Sequence, residues 1–337
     1  MSQSNKVRTA VVGLNMGLQH AYAYAKSERA DLRWVVDLDA EKAAKVAEEL
    51  GCSWTTDWTT IIDDIDAVSL CTPHHLHAPQ SLQAIAAGKH VLLEKPLANT
   101  EEDCLKTIEA AKEKGVTFMM AYIVRFLPAI IKLKEILDSG QYGKPFSVNL
   151  WIQAYLQPMP NTWFSRKAQL GGGVMFSHGC HYVDLLLWLF GNTKAITSLG
   201  TRVGTEWMEG EGTSHGLMQF ENGVVAHLET SWGMKFKSMP SFLQIHTTEG
   251  LIVLEAGMNK IEVINAEGRQ TIFGPVPALT KEEGTNAFYE CEHFLECIQN
   301  GITPETDGVE AMRSLRAIWA MYEAAENGGV PVSTTGV

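Results

Sequence analysis

Apolar and polar positions follow two textures along the chain. From Val7 to Arg125, short apolar runs alternate with helix-length amphipathic stretches. Val7–Gly13, Arg33–Asp37, Asp66–Cys71, His90–Glu94 and Thr117–Ala121 read as strands. Ala40–Leu50, His77–Ala87 and Glu101–Lys114 read as helices, stopped by Gly51, Gly88 and Gly115. Thr100 with Asp103 opens the third as a capping box, and each glycine suits a helix C-terminus. Strands alternating with helices of this length predict right-handed βαβ units and a parallel sheet. Beyond about residue 145 the helical period gives way to strands in succession: Phe146–Ala154, Thr197–Val203, Ser214–Phe220, Val224–Trp232, Phe242–Thr247, Leu251–Glu255, Lys260–Ile264 and Gln270–Phe273. Asn222-Gly223 between two of them predicts a tight hairpin, and the set predicts one antiparallel sheet. Two helices close the chain. One covers Asn286–Gln299. The other is capped by Asp307 and carries Val309, Met312, Leu315, Ile318 and Trp319 on an apolar face. The expected organisation is an α/β domain over 1–125 and an α+β domain with a large, mainly antiparallel open sheet over 126–337.

Composition narrows the classes of function. With 27 Lys+Arg against 39 Asp+Glu the formal charge is −12, which argues against nucleic acid or an anionic membrane as partner. The strongest apolar run, Val183–Phe190, contains Asp184 and is too short to span a bilayer. The opening Met1–Lys6 has no signal-peptide apolar region, so the cytosol is the expected compartment. Six cysteines include no C-x-x-C pair and read as reduced thiols.

The first chemistry-bearing motif follows the first strand. Gly13-Leu-Asn15-Met16-Gly17 opens a helix, where backbone N–H groups can approach a pyrophosphate. It is one residue shorter than G-x-G-x-x-G and has Asn15 at the middle glycine; a tight strand–helix turn is the plainer reading. Asp37, at the end of the second strand, changes the balance, since a carboxylate there takes the adenosine ribose hydroxyls. Its other possible task, capping the next helix, can fall to Asp39. No arginine follows Asp37, and Leu38 occupies the next position, so NAD is the expected cofactor.

Glu94-Lys95-Pro96 closes the strand His90-Val-Leu-Leu. Ligands of open parallel sheets bind beyond the carboxyl ends of the strands, so Lys95 is either a proton-transfer group with a lowered pKa or a strand-end lysine facing solvent. The stretches Cys71-Thr-Pro-His-His-Leu-His-Ala-Pro79 and Ala87-Gly-Lys-His-Val-Leu-Leu-Glu-Lys-Pro-Leu-Ala98 resemble the glucose–fructose oxidoreductase / inositol dehydrogenase / rhizopine-catabolism (Gfo/Idh/MocA) family. So do Arg125-Phe-x-Pro128 and Gly171-Gly-Gly-x-x-x-Ser-x-Gly-x-His181-x-x-Asp184. The resemblance implies a Rossmann dinucleotide-binding domain, a substrate and oligomerisation domain, and hydride transfer between NAD and a secondary hydroxyl of a sugar, polyol or cyclitol. It implies that Gly13, Asn15, Met16, Gly17, Asp37, Thr72, Pro73, His74 and His77 border the cofactor, that Glu94 holds its ribose, and that Lys95 sits beside the reacting hydroxyl.

In the second domain the resemblance makes His181 the general acid/base and Asp184 a substrate contact. The family's first aspartate is Ser177 here, which removes a carboxylate that would tune His181. On a regular helix Ser177, His181 and Asp184 share an arc of about 60°. Tyr122 and Trp163 are candidate substrate contacts among several aromatics. His178 with His181 and Asp184, or His74 with His75 and His77, could be read as metal ligands, but the helix spacing is wide for one ion and no metal is expected. A homodimer or homotetramer is expected through the open sheet. Rival readings are a redox-assisted glycoside hydrolase with tightly bound NAD, and a non-catalytic dinucleotide- or sugar-sensing regulator, against which Lys95 and His181 argue.

Overall fold

The computed structural model describes residues 6–236 and 241–334. The opening residues 1–5, read above for a leader, lie outside the described residues. The chain divides into two compact units, Met1–Ile123 with Ala278–Met312, and Val124–Pro277 with Arg313–Val337.

The first unit is built on a parallel sheet of β1 (Val7–Val12), β2 (Ala30–Val36), β3 (Ser53–Thr55), β4 (Ala67–Leu70), β5 (His90–Glu94) and β6 (Phe118–Ala121), in the order β3-β2-β1-β4-β5-β6. β4 and β6 are buried along their whole length, as unbroken apolar runs in a sheet covered on both faces must be. β3 escaped the sequence reading because it is three residues long and largely exposed, too short for a period to register. Helices α1 (Gly17–Lys26), α2 (Ala40–Leu50), α3 (His77–Ala86) and α4 (Glu101–Lys114) make the crossovers. Asp39 accepts the Lys42 N–H and caps α2, as expected, and Gly51 ends it at φ 70°. Thr100 caps α4 through the Asp103 N–H, and acids in its first turn with lysines in its last suit the helix dipole.

The second unit begins with α5 (Pro128–Ser139), which the sequence reading did not assign, although proline at its start and Gly140 at φ 64° after its end are ordinary helix signals. Then come β7 (Pro145–Gln153), the short α6 (Lys167–Leu170), α7 (Cys180–Phe190), β8 (Thr193–Thr201), β9 (Thr213–Phe220), β10 (Val225–Ser231), β11 (Leu243–Thr247), β12 (Gly250–Leu254), β13 (Ile261–Asn265) and β14 (Gly268–Phe273). The expected Asn222-Gly223 hairpin is present, with Gly223 at φ 92° and the Asn222 side chain accepting the Val224 N–H. The chain closes with α8 (Ala287–Asn300), which lies against α1 in the first unit, α9 (Gly308–Glu326), and β15 (Val332–Ser333).

The nine strands of the second sheet run β14-β13-β12-β11-β7-β10-β9-β8-β15. All pairs are antiparallel except β7 with β10, which are parallel, so the sheet is mainly antiparallel, as expected. The nearly all-apolar α7 lies over β10, and Val148, Leu150, Met218, Ala226 and Leu228 are buried in the sheet. The alternation along β9 leaves His215, Leu217 and Gln219 on the opposite, open face. In α9, Met312, Leu315 and Ile318 are buried as expected, but Val309 is 58% exposed. It sits in the first turn, on the rim of an open cleft with Ile108, Phe118 and Ile302. No helix among the described residues is long and apolar enough to cross a membrane.

Candidate active site

The carboxyl edge of the first sheet gathers most of the residues singled out in the first unit. β1 and β4 are neighbours, and the chain leaves them in opposite directions along the sheet order, which is the switch point where open α/β sheets bind ligands. Gly13, just past β1, takes φ 89°, and a Cβ there would stand 2.4 Å from the Cys71 carbonyl oxygen beyond β4. A Cβ on Gly17 would stand 2.8 Å from Val11 Cγ1 and 3.0 Å from Cys71 Cβ, so α1 starts hard against the sheet. Both glycines are therefore required by packing, while Asn15 and Met16 between them are exposed on the turn. A turn this close to the strands, with a helix N-terminus behind it, fits a dinucleotide pyrophosphate.

Asp37 lies beside that turn. Its Oδ2 accepts the Leu14 N–H at 2.8 Å and its Oδ1 accepts the Asp39 N–H at 3.1 Å. Lys42, which the sequence reading missed, donates its ammonium to Asp37 Oδ2 at 3.0 Å and to Asn15 Oδ1 at 2.7 Å. Burial pushes the Asp37 carboxyl up, but the two amide donors and Lys42 outweigh it and hold the group below the usual aspartate value. The signal for Lys42 was in principle available. It is the third residue of α2, and only the exact start of that helix decides that its side chain reaches back to Asp37.

Past β4, the Thr72 hydroxyl donates to Gln80 Oε1 at 2.6 Å. Pro73 precedes a single 3-10 turn, His74–Leu76. His77 is fully buried, with Nδ1 2.6 Å from the Pro96 carbonyl and Nε2 2.8 Å from the Thr72 carbonyl. This ties the loop after β4 to the loop after β5, both ring nitrogens facing carbonyl oxygens. Burial pushes its pKa down despite the two carbonyls. His74 is buried beside it, ring centroids 5.5 Å apart. Glu94 ends β5 almost buried, and its Oε2 accepts the Lys95 N–H at 3.2 Å. Lys95 is partly exposed and joins Pro96 by a cis peptide. Tyr122, expected to meet substrate, is fully buried after β6 and has no surface to present.

In the second unit, α7 carries His181 and Asp184. Ser177 precedes it within a π-helical turn, Met175–Gly179. Such turns insert a residue into a helix and occur often at functional sites. The π turn breaks the regular 100° step that the sequence reading assumed between Ser177 and His181. The turn is held from behind by residues the sequence did not suggest. Glu211 Oε1 accepts the Met175 N–H at 3.1 Å and the Tyr322 hydroxyl at 3.0 Å, and the Tyr322 oxygen accepts the Gly173 N–H at 2.9 Å. Burial pushes the Glu211 carboxyl up against these donors. No local motif could have shown this, because the partners lie far apart in sequence.

His181 and Ser177 are both mostly buried. Asp184 is buried with both oxygens taken by Arg125, whose Nε and Nη2 donate at 2.6 Å each. The guanidinium lies 5.6 Å from the Trp188 ring centroid. The Arg-Phe-x-Pro motif and the helix motif therefore meet as a bidentate ion pair, which leaves Asp184 little capacity for the substrate contact expected of it. His178 faces Trp232, whose Nε1–H donates to its Nδ1 at 3.2 Å. Trp163 stacks 4.0 Å from Phe164 at the edge of an apolar cluster of Leu170, Val174, Met208 and Trp232. Among the described residues no three His, Cys, Asp or Glu side chains gather as a metal site.

Comparison with known proteins agrees with this geometry. Residues 7–122 match the oxidoreductase family with an NAD-binding Rossmann fold, and residues 130–253 match the GFO/IDH/MocA C-terminal domain. The chain is 29% identical to the 1,5-anhydro-D-fructose reductase of Ensifer adhaerens, over 90% of this chain and 91% of that one. It is 28% identical to the scyllo-inositol 2-dehydrogenase (NAD(+)) of Bacillus subtilis, over 97% and 96%. A levoglucosan dehydrogenase solved with NADH and levoglucosan superposes with a TM-score of 0.87 at 25% identity, over 98% of this chain and 100% of that chain.

Proposed function

Because the chain belongs to the Gfo/Idh/MocA family of NAD-binding oxidoreductases, we propose that it oxidises or reduces a secondary alcohol of a sugar, anhydrosugar or cyclitol with NAD(H). The observation that carries this reading is Asp37, ionised and aimed by the Leu14 N–H at the glycine turn, where its Oδ1 can still accept an adenosine ribose hydroxyl. Gly13, Asn15, Met16 and Gly17 hold the pyrophosphate through backbone N–H groups, Thr72, Pro73 and His74 border the nicotinamide end, and Glu94 accepts from the second ribose. His77 keeps that edge in shape from beneath. When bound, the cofactor supplies a hydride acceptor or donor for the carbon that bears the hydroxyl.

The protein's own task is the proton. Lys95 acts at the substrate hydroxyl oxygen, and His181 takes or returns the proton there, the work to which an imidazole side chain is suited. Ser177 offers a hydroxyl but no charge. Trp163 offers an aromatic face to the sugar. The Arg125–Asp184 pair fixes α7 so that His181 keeps its direction. We place the protein in the cytosol as a homodimer or homotetramer. The open sheet face, with Leu199, Leu217 and Val225 exposed and His215 beside them, supports self-association. A panel of sugars, anhydrosugars and cyclitols with NAD⁺, followed by nicotinamide absorbance, tests the reading. Net NADH formation with any of them supports it. Sugar release without net reduction would favour a redox glycosidase, and neither response would favour a sensor.

A further inference from the structure

Behind Glu94 lies a buried polar cluster that the proposed chemistry does not use. His20 on α1 is 1% exposed. Its Nε2 stands 3.6 Å from Glu94 Oε1 and 3.6 Å from Oε1 of Glu290, a residue of α8 that is itself 1% exposed. The other edge of the ring is anchored: Nδ1 lies 3.2 Å from Ser69 Oγ, which lies 2.8 Å from the hydroxyl of Tyr24, one turn further along α1. Cys71 and Cys291 complete the surroundings. Two carboxylates facing one imidazole in a dry interior are strongly unfavourable unless their charges are divided. They are divided. Burial and the nearby Glu94 push Glu290 well above the usual value, which favours its neutral acid. Burial pushes Glu94 up as well, but His20, with smaller help from Lys95 and His77, outweighs this and holds it ionised. Tyr24, Cys71 and Cys291 are all raised by burial and stay neutral.

The two oxygens of Glu94 thus have different partners. Oε2 takes the Lys95 N–H and Oε1 faces His20, so the carboxylate plane is fixed from both ends. We propose that His20 is a positioning residue for the cofactor: anchored through Ser69 and Tyr24, it sets the charge and direction of the Glu94 carboxylate that receives the ribose. This rests on the ribose role of Glu94 proposed above. A carboxylate can only accept, so the contact requires a proton on Nε2, and Nδ1 is then left to Ser69.

Two short amides separate the edges of the ring. In His20→Gln the amide N–H can reach the Nε2 position and Glu94. In His20→Asn it reaches only the Nδ1 position and Ser69. NADH affinity, read by fluorescence titration of the apoprotein, should stay within about twofold of wild type in His20→Gln and fall about tenfold in His20→Asn, which loses the buried charged contact to Glu94. In a Glu94→Gln background the same His20→Asn change should have almost no effect. A tenfold loss of equal size in both backgrounds would overturn the proposal, as would equal behaviour of the two amides with only thermal stability lowered. Unchanged affinity in Glu94→Gln alone would remove the ribose role and this proposal with it. Weakened binding in Glu94→Gln with none in His20→Asn would remove the positioning role alone.

Discussion

Lys42 holds its ammonium 3.0 Å from a carboxylate oxygen of Asp37. This pair changes how cofactor choice should be reasoned. From Asp37 alone, a 2′-phosphate meets like charge and NAD(H) is favoured. Lys42 offsets part of that repulsion from the same spot.

The preference for NAD(H) over NADP(H) should therefore be moderate, and the two side chains should move it in opposite directions. Asp37→Ala should shift the ratio of the two dissociation constants toward NADP(H) by roughly tenfold or more, since it leaves the lysine unopposed. Lys42→Ala should shift it the other way. Calorimetric titration of both cofactors into the three proteins checks this. A Lys42→Ala protein that binds NADP(H) better than wild type contradicts it.

Lys95→Ala should lower turnover by ~10²-fold or more, and His181→Ala should remove most turnover, as loss of proton-transfer groups does. Neither should change NADH affinity by more than a few-fold, because Gly13, Gly17, Asp37 and Glu94 remain. Steady-state rates alongside NADH fluorescence titrations separate the two effects. Near-normal turnover in either variant removes that residue from the proton path.

Asp184→Ala should act on stability before it acts on substrate. Breaking a buried, bidentate ion pair takes both carboxylate oxygens from the Arg125 guanidinium and costs about 3–5 kcal/mol. Denaturant unfolding should show that loss. A raised KM with unchanged stability would instead restore Asp184 as a direct substrate contact.

Glu290→Gln should stabilise the protein increasingly as pH rises. The native carboxyl titrates well above its ordinary value, so its contribution is complete at acid pH and is lost as pH climbs past the unfolded value toward the native one. An amide keeps the neutral form at every pH. Melting curves at pH 5 and pH 8 should show the variant gaining on wild type at the higher pH, by about 2–4 °C for each kcal/mol recovered. A pH-independent loss would mean that the charged carboxylate matters to the fold.

The sequence carried the architecture further than the site. Apolar runs bounded by glycine located five of the six strands of the first sheet, because buried parallel strands are continuous in sequence. The short exposed β3 lacked that signal. Eight strands of the second sheet showed as alternation, but nothing local could say that β7 and β10 run parallel, since direction is set by where the chain goes between them. The motif residues Gly13, Gly17, Asp37, Glu94 and Lys95 were legible because they stand at strand ends. Lys42, His20, Glu211 and Tyr322 were not, because each acts through a partner that only folding brings near. For Asp184 the motif gave the residue but not its partner, and for Ser177 it gave no sign of the irregular turn in which the serine sits.

β7 has a further consequence, for the order in which the second unit forms. On one side of it β8, β9 and β10 follow one another in the chain, and on the other β11 to β14 make a meander. Only β7 bridges the two groups, pairing Val148 with Ala226 and Leu150 with Leu243, partners far apart in the chain. Each group can assemble from local contacts, whereas seating β7 must close long loops before its pairings return any energy. The middle of the sheet is thus its kinetic seam. Until that strand is seated, β10 and β11 are both open edges, and a nascent chain is most exposed to pairing with a neighbour along those two strands.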